Sequence, residues 1–180
     1  MPRLPLEYSR WRDLEYRHGR AGALPHDLQK LIDNPADRSL FDDLWPALCS
    51  EGTTWPAAFA AAPYLVDIAE RLSPADRWDY VMVVGFFAMN EGTCPAGMRD
   101  AYDDALRRAL PLLLESLSVR KDEQETVHQL ASAAALLGYK KLALAIEYLD
   151  TGCPECGHSV IGGDPADARP DIAADRAGPN

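Results

Sequence analysis

The run Trp78 to Met89 is too apolar for a helix with one face in water, and it follows Ser73-Pro74-Ala75-Asp76, the signature of a helix start. The serine hydroxyl can cap, proline suits the first helical position, and the carboxylate stands near the positive end of the helix. A helix of this composition has to be covered by neighbours on more than one side. The rest of the chain supplies those neighbours, and its punctuation says that they are helices. Pro and Gly recur at segment ends, and few β-branched runs of period two lie between them. The expected class is all-α.

Two short segments, Leu6 to Tyr16 and Pro25 to Ile32, are expected to cap a main body of three helical pairs. In the first pair, Ser39 to Leu48 places Leu40, Leu44, Trp45 and Leu48 on one face, with Gly52 positioned to end the helix. Its partner starts at Trp55-Pro56 and runs to Leu72, kinked or restarted at Pro63. In the second, the apolar helix ends at Gly92. Pro95 then opens a helix to about Leu117 with Ala101, Ala105, Leu106, Leu110, Leu113 and Leu117 as its buried stripe and a bend at Pro111. In the third, Asp122 to Leu137 has an acidic first turn, buries Val127, Leu130, Ala131, Ala134 and Leu137, and is capped by Gly138; Tyr139 to Leu149 completes the pair. Pairs of this length match the hairpin repeats that stack into α-solenoids, with a non-repeating bundle as the competing arrangement.

A metal-ligand motif follows. Cys153-Pro154-Glu155-Cys156-Gly157, with His158 directly after it, spaces two thiols to bend around one ion. Pro154 pre-sets the turn and Gly157 tolerates unusual backbone angles. Zinc is the expected cofactor, structural, with Cys153, Cys156 and His158 as the nearest candidate ligands. The two groups beyond Cys153 and Cys156 are to come from His158, Cys49, Cys94, His128 or cysteines of a second chain, and two knuckles meeting across a dimer axis would complete a four-sulfur site. A redox role is disfavoured because the motif follows a helix and no strand-helix-strand context surrounds it. One helical domain, residues 1–161 with the knuckle at 153–158, is expected, and Gly162 to Asn180 reads as a mobile tail for want of apolar groups.

The stretch Leu44-Trp45-Pro46-Ala47-Leu48-Cys49-Ser50-Glu51-Gly52-Thr53-Thr54-Trp55-Pro56, continuing through the alanine-rich run to Pro63-Tyr64-Leu65-Val66, resembles a group of bacterial HEAT-like helical-repeat proteins of mostly unassigned function. The resemblance rests on a Leu-Trp helix end, a Gly-Thr turn, an aromatic, an alanine-rich helix and a Pro before an apolar run, and it covers about an eighth of the chain. It implies a short stack of helical hairpins, an α-α superhelix, used to present a concave surface to another macromolecule, and it brings no catalytic residues.

Function classes narrow accordingly. A net charge of −10 disfavours nucleic acid and suits a basic protein partner. The first residues have no apolar signal region, and no apolar stretch approaches the roughly 20 residues of a membrane span, so a cytoplasmic protein is expected. Glu125 and His128 have the spacing of a carboxylate-bridged di-iron helix, but a solvated helix face is the expected reading. Phosphate-loop, zinc-protease and serine-hydrolase signatures are absent. The leading expectation is a non-catalytic interaction scaffold or adaptor. Its rival is an enzyme or ligand-binding protein with a pocket between the helices, near Asn90, Glu91, His128 and Tyr139.

Overall fold

The apolar run forms the middle of the molecule. In the computed structural model, which describes residues 3–119 and 122–151, seven α-helices hold most of the chain. They are α1 (Leu24–Asp33), α2 (Arg38–Leu48), α3 (Pro56–Ala69), α4 (Pro74–Met89), α5 (Arg99–Leu117), α6 (Glu123–Leu136) and α7 (Lys140–Thr151). Two-residue strands make two antiparallel hairpins, β1 (Glu15–Tyr16) with β2 (Gly19–Arg20) and β3 (Cys49–Ser50) with β4 (Thr53–Thr54). The fold is all-α in class. The knuckle residues Cys153, Cys156 and His158 and the segment 162–180 lie outside the described residues.

Helix α4 buries residues on every side, among them Tyr80, Val81, Val83, Val84 and Phe87, because α3, α5, α6 and α7 surround it. Helix α3 is buried more fully still. Its alanines at 57, 58, 60, 61 and 62 carry so little bulk that neighbouring backbones come close, and Phe59, Tyr64, Leu65 and Ile68 fill the space beyond. Pro63 sits inside this helix without dividing it. At the start of α4 two buried charges are matched from outside: Arg77 pairs with Glu115 of α5, and Asp79 with Arg38 of α2.

Consecutive helices α4 and α5, and α6 and α7, pack on each other as the expected pairs do. The first pair is different. Helix α3 leans mainly on α4 and α5, and the chain between α2 and α3 is spent on the β3–β4 hairpin. Gly52 therefore does not cap α2, which stops at Leu48. Glu51 and Gly52 have φ of 53° and 74°, the left-handed pair that a two-residue hairpin turn requires. The opening segment also departs from a helix: a single 3₁₀ turn, Ser9–Asp13, buries Trp11 and leads into β1.

Helix α5 starts at Arg99, four residues after Pro95, because Gly97 at φ 78° interrupts any helix opened by that proline. Its fully buried stripe is Tyr102, Ala105, Ala109, Leu113 and Ser116; Ala101, Leu106, Leu110 and Leu117 are half-buried at its edges. Helix α6 begins where expected, the Asp122 carboxylate accepting from the Glu125 amide at 2.7 Å. It ends at Gly138, at φ 86°, with the Tyr139 amide donating to the Ala134 carbonyl and the Gly138 amide to that of Ala135, a Schellman cap. Leu130 and Leu137, expected inside, are exposed. Among the described residues no helix is long and apolar enough to cross a membrane.

Candidate functional site

A cleft of about 400 Å³ opens where the end of α2, the β3–β4 hairpin, the end of α4 and one face of α7 meet. Trp45 and Pro46 come from the last turn of α2. Phe86, Met89 and Asn90 end α4, and Leu144, Glu147 and Tyr148 stand three and four apart on α7, hence on one face of it. Glu51 and Gly52 form the lip.

The lip is fixed to the body. The Thr54 amide donates to the Glu91 carbonyl at 2.6 Å, the Glu91 amide to the Gly52 carbonyl at 2.9 Å, and the Thr54 hydroxyl to the Phe87 carbonyl at 3.0 Å. This approach is why residue 92 is glycine: a Cβ there would lie 2.4 Å from the Thr54 carbonyl oxygen. From the other side Arg17 docks the first hairpin on α2 through its amide, which donates to the Ala47 carbonyl at 2.9 Å, and its guanidinium donates to Glu51 Oε1 at 2.8 Å.

At the base of the cleft the Asn90 side-chain amide donates to Cys49 Sγ at 2.9 Å, and the Thr54 hydroxyl lies 3.6 Å from the same sulfur. Burial pushes the Cys49 thiol above its ordinary value, and these two contacts offset only part of that rise. Cys49 is thus a protonated thiol at neutral pH, a poor nucleophile. Along one wall the rings of Trp45 and Phe86 lie 6.3 Å apart, and His128 meets Phe86 edge-on at 5.9 Å. His128 Nδ1 is 3.1 Å from Glu147 Oε2. Among the described residues that line the cleft none is Lys or Arg.

This arrangement can enclose an apolar body and meet positive charge; it presents no activated nucleophile. Of the four residues expected around a pocket, Asn90 lines it and His128 supports it from behind Phe86. Glu91 turns to the other side of the hairpin, where it accepts from Lys140 Nζ at 2.8 Å. Tyr139, 62% exposed, stands outside the cleft, carried there by the turn after α6. Glu125 and His128 do not act together, since the histidine faces Glu147 across the α6–α7 pair. Cys94 is half-buried, its thiol raised by burial and donating weakly to the Pro95 carbonyl at 3.7 Å. Among the described residues no three His, Cys, Asp or Glu side chains group to hold a metal, and Cys49, Cys94 and His128 form no such set.

No family model, curated protein or solved structure matches the chain. Its function is read from the cleft. Sequence reasoning missed Cys49, Trp45, Glu147 and Tyr148 as neighbours, because they come from separate elements brought together only by the packing of α7 on α4. The signal within reach was Glu51-Gly52, a turn dipeptide between two short extended pieces.

Proposed function

We propose that this protein is a non-catalytic binding scaffold for a basic protein partner, its body a short HEAT-like stack of helical hairpins. The observation that carries the reading is the cleft, with aromatic and aliphatic walls, Glu51 and Glu147 as its charged lining groups and neither Lys nor Arg in its lining; Arg17 reaches Glu51 from outside it. A net charge of −10 adds a long-range attraction for the same kind of partner. Leu130, Leu137, Tyr139, Leu142 and Tyr148 are large apolar side chains exposed on the last helical pair, where a partner would cover them.

Zinc belongs to this reading as a device that ties down the chain end. Cys153 and Cys156 would hold it, joined either by His158 and one further group of the same chain or by the same two cysteines of a second chain, and the ion would supply a tetrahedral crosslink and no chemistry. Cys49 accepts from Asn90 and His128 faces Glu147, so a second knuckle is the better source of any further ligand.

The test is a titration of the full chain with basic peptides of varied sequence against acidic peptides of equal length, over a range of salt. Binding of a subset of the basic peptides, weakening with salt, supports the scaffold reading; no peptide binding, or binding indifferent to charge, overturns it.

A further inference from the structure

The geometry points to a defined ligand chemistry for the cleft: an organic cation, a guanidinium or substituted ammonium on an apolar stem, selected at the rim by Glu51. The inference rests on the binding reading above and specifies what enters. Three independent features lead to it.

The first is the wall. Trp45 and Phe86, 6.3 Å apart and tilted by 46°, and Tyr148 of α7 line one space, and aromatic rings attract cations most strongly where water is partly excluded. Met89 and Leu144 supply surface for an apolar stem. The second is the polar complement. Glu147 engages His128 through Oε2, which leaves Oε1 as an acceptor, and Asn90, whose amide nitrogen donates to Cys49, keeps its carbonyl oxygen. Carboxylates and a carbonyl accept hydrogen bonds, and guanidinium and ammonium groups only donate them.

The third is the strain at Glu51. Among the described residues it is the one non-glycine with positive φ, in a turn position that asparagine or glycine fills at lower cost. The left-handed conformation is unfavourable for a side chain with a Cβ. Its ion pair with Arg17 is exposed, with side chains 42% and 78% accessible, and exposed pairs contribute little to stability. A carboxylate kept at a strained position on the lip of an acidic cleft is accounted for by what it contacts when the cleft is filled. At about 400 Å³ the cleft exceeds a single basic side chain and falls in the range of small-ligand pockets. The cation can therefore be a free small molecule or an Arg or Lys side chain of a partner together with its neighbours.

The experiment titrates the full chain with benzyltrimethylammonium, with N-acetyl-arginine amide, with an arginine peptide and its citrulline counterpart, and with benzoate as the anionic control. The inference expects the cations to bind and benzoate not to, with affinity falling about tenfold in Glu147→Gln and measurably in Tyr148→Ala, both surface-accessible changes. Glu51→Asn separates strain from binding: the thermal midpoint should rise while cation affinity falls. If the arginine peptide binds no better than the blocked amino acid, the ligand is a free cation; if it binds far better and citrulline abolishes the gain, the ligand is a partner's side chain. Cation binding unchanged in all three variants, or equal binding of benzoate, overturns the inference. Sequence-selective basic-peptide binding that ignores the three variants would leave the scaffold reading standing without it, and no binding by any probe or peptide would remove both.

Discussion

Gly85 of α4 lies against Ser132 of α6 so closely that a methyl group at residue 85 would fall 2.4 Å from the Ser132 Cβ and 2.7 Å from its Cα. The Ser132 hydroxyl donates to the Met82 carbonyl at 2.9 Å, so the two backbones are also joined at this crossing. The partner atoms are backbone and Cβ, which cannot swing aside. Gly85→Ala should therefore destabilise the fold by about 1–3 kcal/mol in urea titration, although alanine is the better helix former. Stability equal to or above that of the parent would mean that α4 and α6 do not cross here.

Gln129 is fully buried in α6, and neither its amide nitrogen nor its oxygen has a hydrogen-bond partner. Leaving such a group unsatisfied costs about 1–3 kcal/mol. Gln129→Met keeps the length and removes the polar atoms, so it should raise the urea midpoint. A lower midpoint would show that the amide finds partners in solution.

Burial pushes the Tyr80 hydroxyl up to about 12, with Arg38 pulling back in part. It donates to the Pro35 carbonyl at 2.7 Å. A group raised in the folded state stabilises the fold fully below its unfolded value, near 10, and loses that contribution as pH climbs through the folded value. Unfolding free energy should thus fall between about pH 10 and 12 as phenolate absorbance appears. Tyr80→Phe should make the decline shallower, at a cost near 1 kcal/mol at neutral pH. An identical alkaline slope in the variant would contradict this.

Asp122 caps α6 through the Glu125 amide, and Asp37 caps α2 through the Leu40 amide at 3.1 Å. Each aspartate-to-alanine change should cost about 1 kcal/mol, additively because the two caps share no partner. Cap losses below a few tenths, read from thermal unfolding, would place the ends of these helices elsewhere.

For zinc, the shared-knuckle arrangement predicts half an ion per chain on a dimer, with both metal and dimer lost when Cys153 and Cys156 become serine. One ion per chain on a monomer would place all the ligands in one chain. A freshly reduced sample without metal would remove zinc from the account.

The helices were legible because their signals are local. Asp122, Gly138 and Pro74 act within one turn, and the composition of the Trp78–Met89 run demands cover whatever supplies it; Ser73 stands at the start of α4 as expected, but its hydroxyl donates to the Asp76 carboxylate instead of capping the helix. Where the reading failed, the deciding interaction came from elsewhere in the chain. Gly52 looks like a helix terminator until the Glu91 backbone is seen to bond the strand beside it. Leu130 and Leu137 follow helical spacing, but α6 buries a different face, Val127 and Gln129 with the small residues 131–135, which lets its backbone lie close to α4 and leaves the two leucines outside. The cleft was legible only as a general region near Asn90 and His128, since Glu147 and Tyr148 reach it through the docking of α7.

The enclosure of α4 also sets how the protein comes apart. With α3, α5, α6 and α7 all resting on it, loss of any one exposes an apolar flank that no remaining element can shield, so partial opening has little to stabilise it. Amide hydrogens in α4 should exchange with solvent only by way of whole-molecule unfolding, at a single shared rate, while those of α1 and the first hairpin exchange sooner. The molecule then has one cooperative unit, with its rim and its centre distinguishable by a clock rather than by a boundary in the chain.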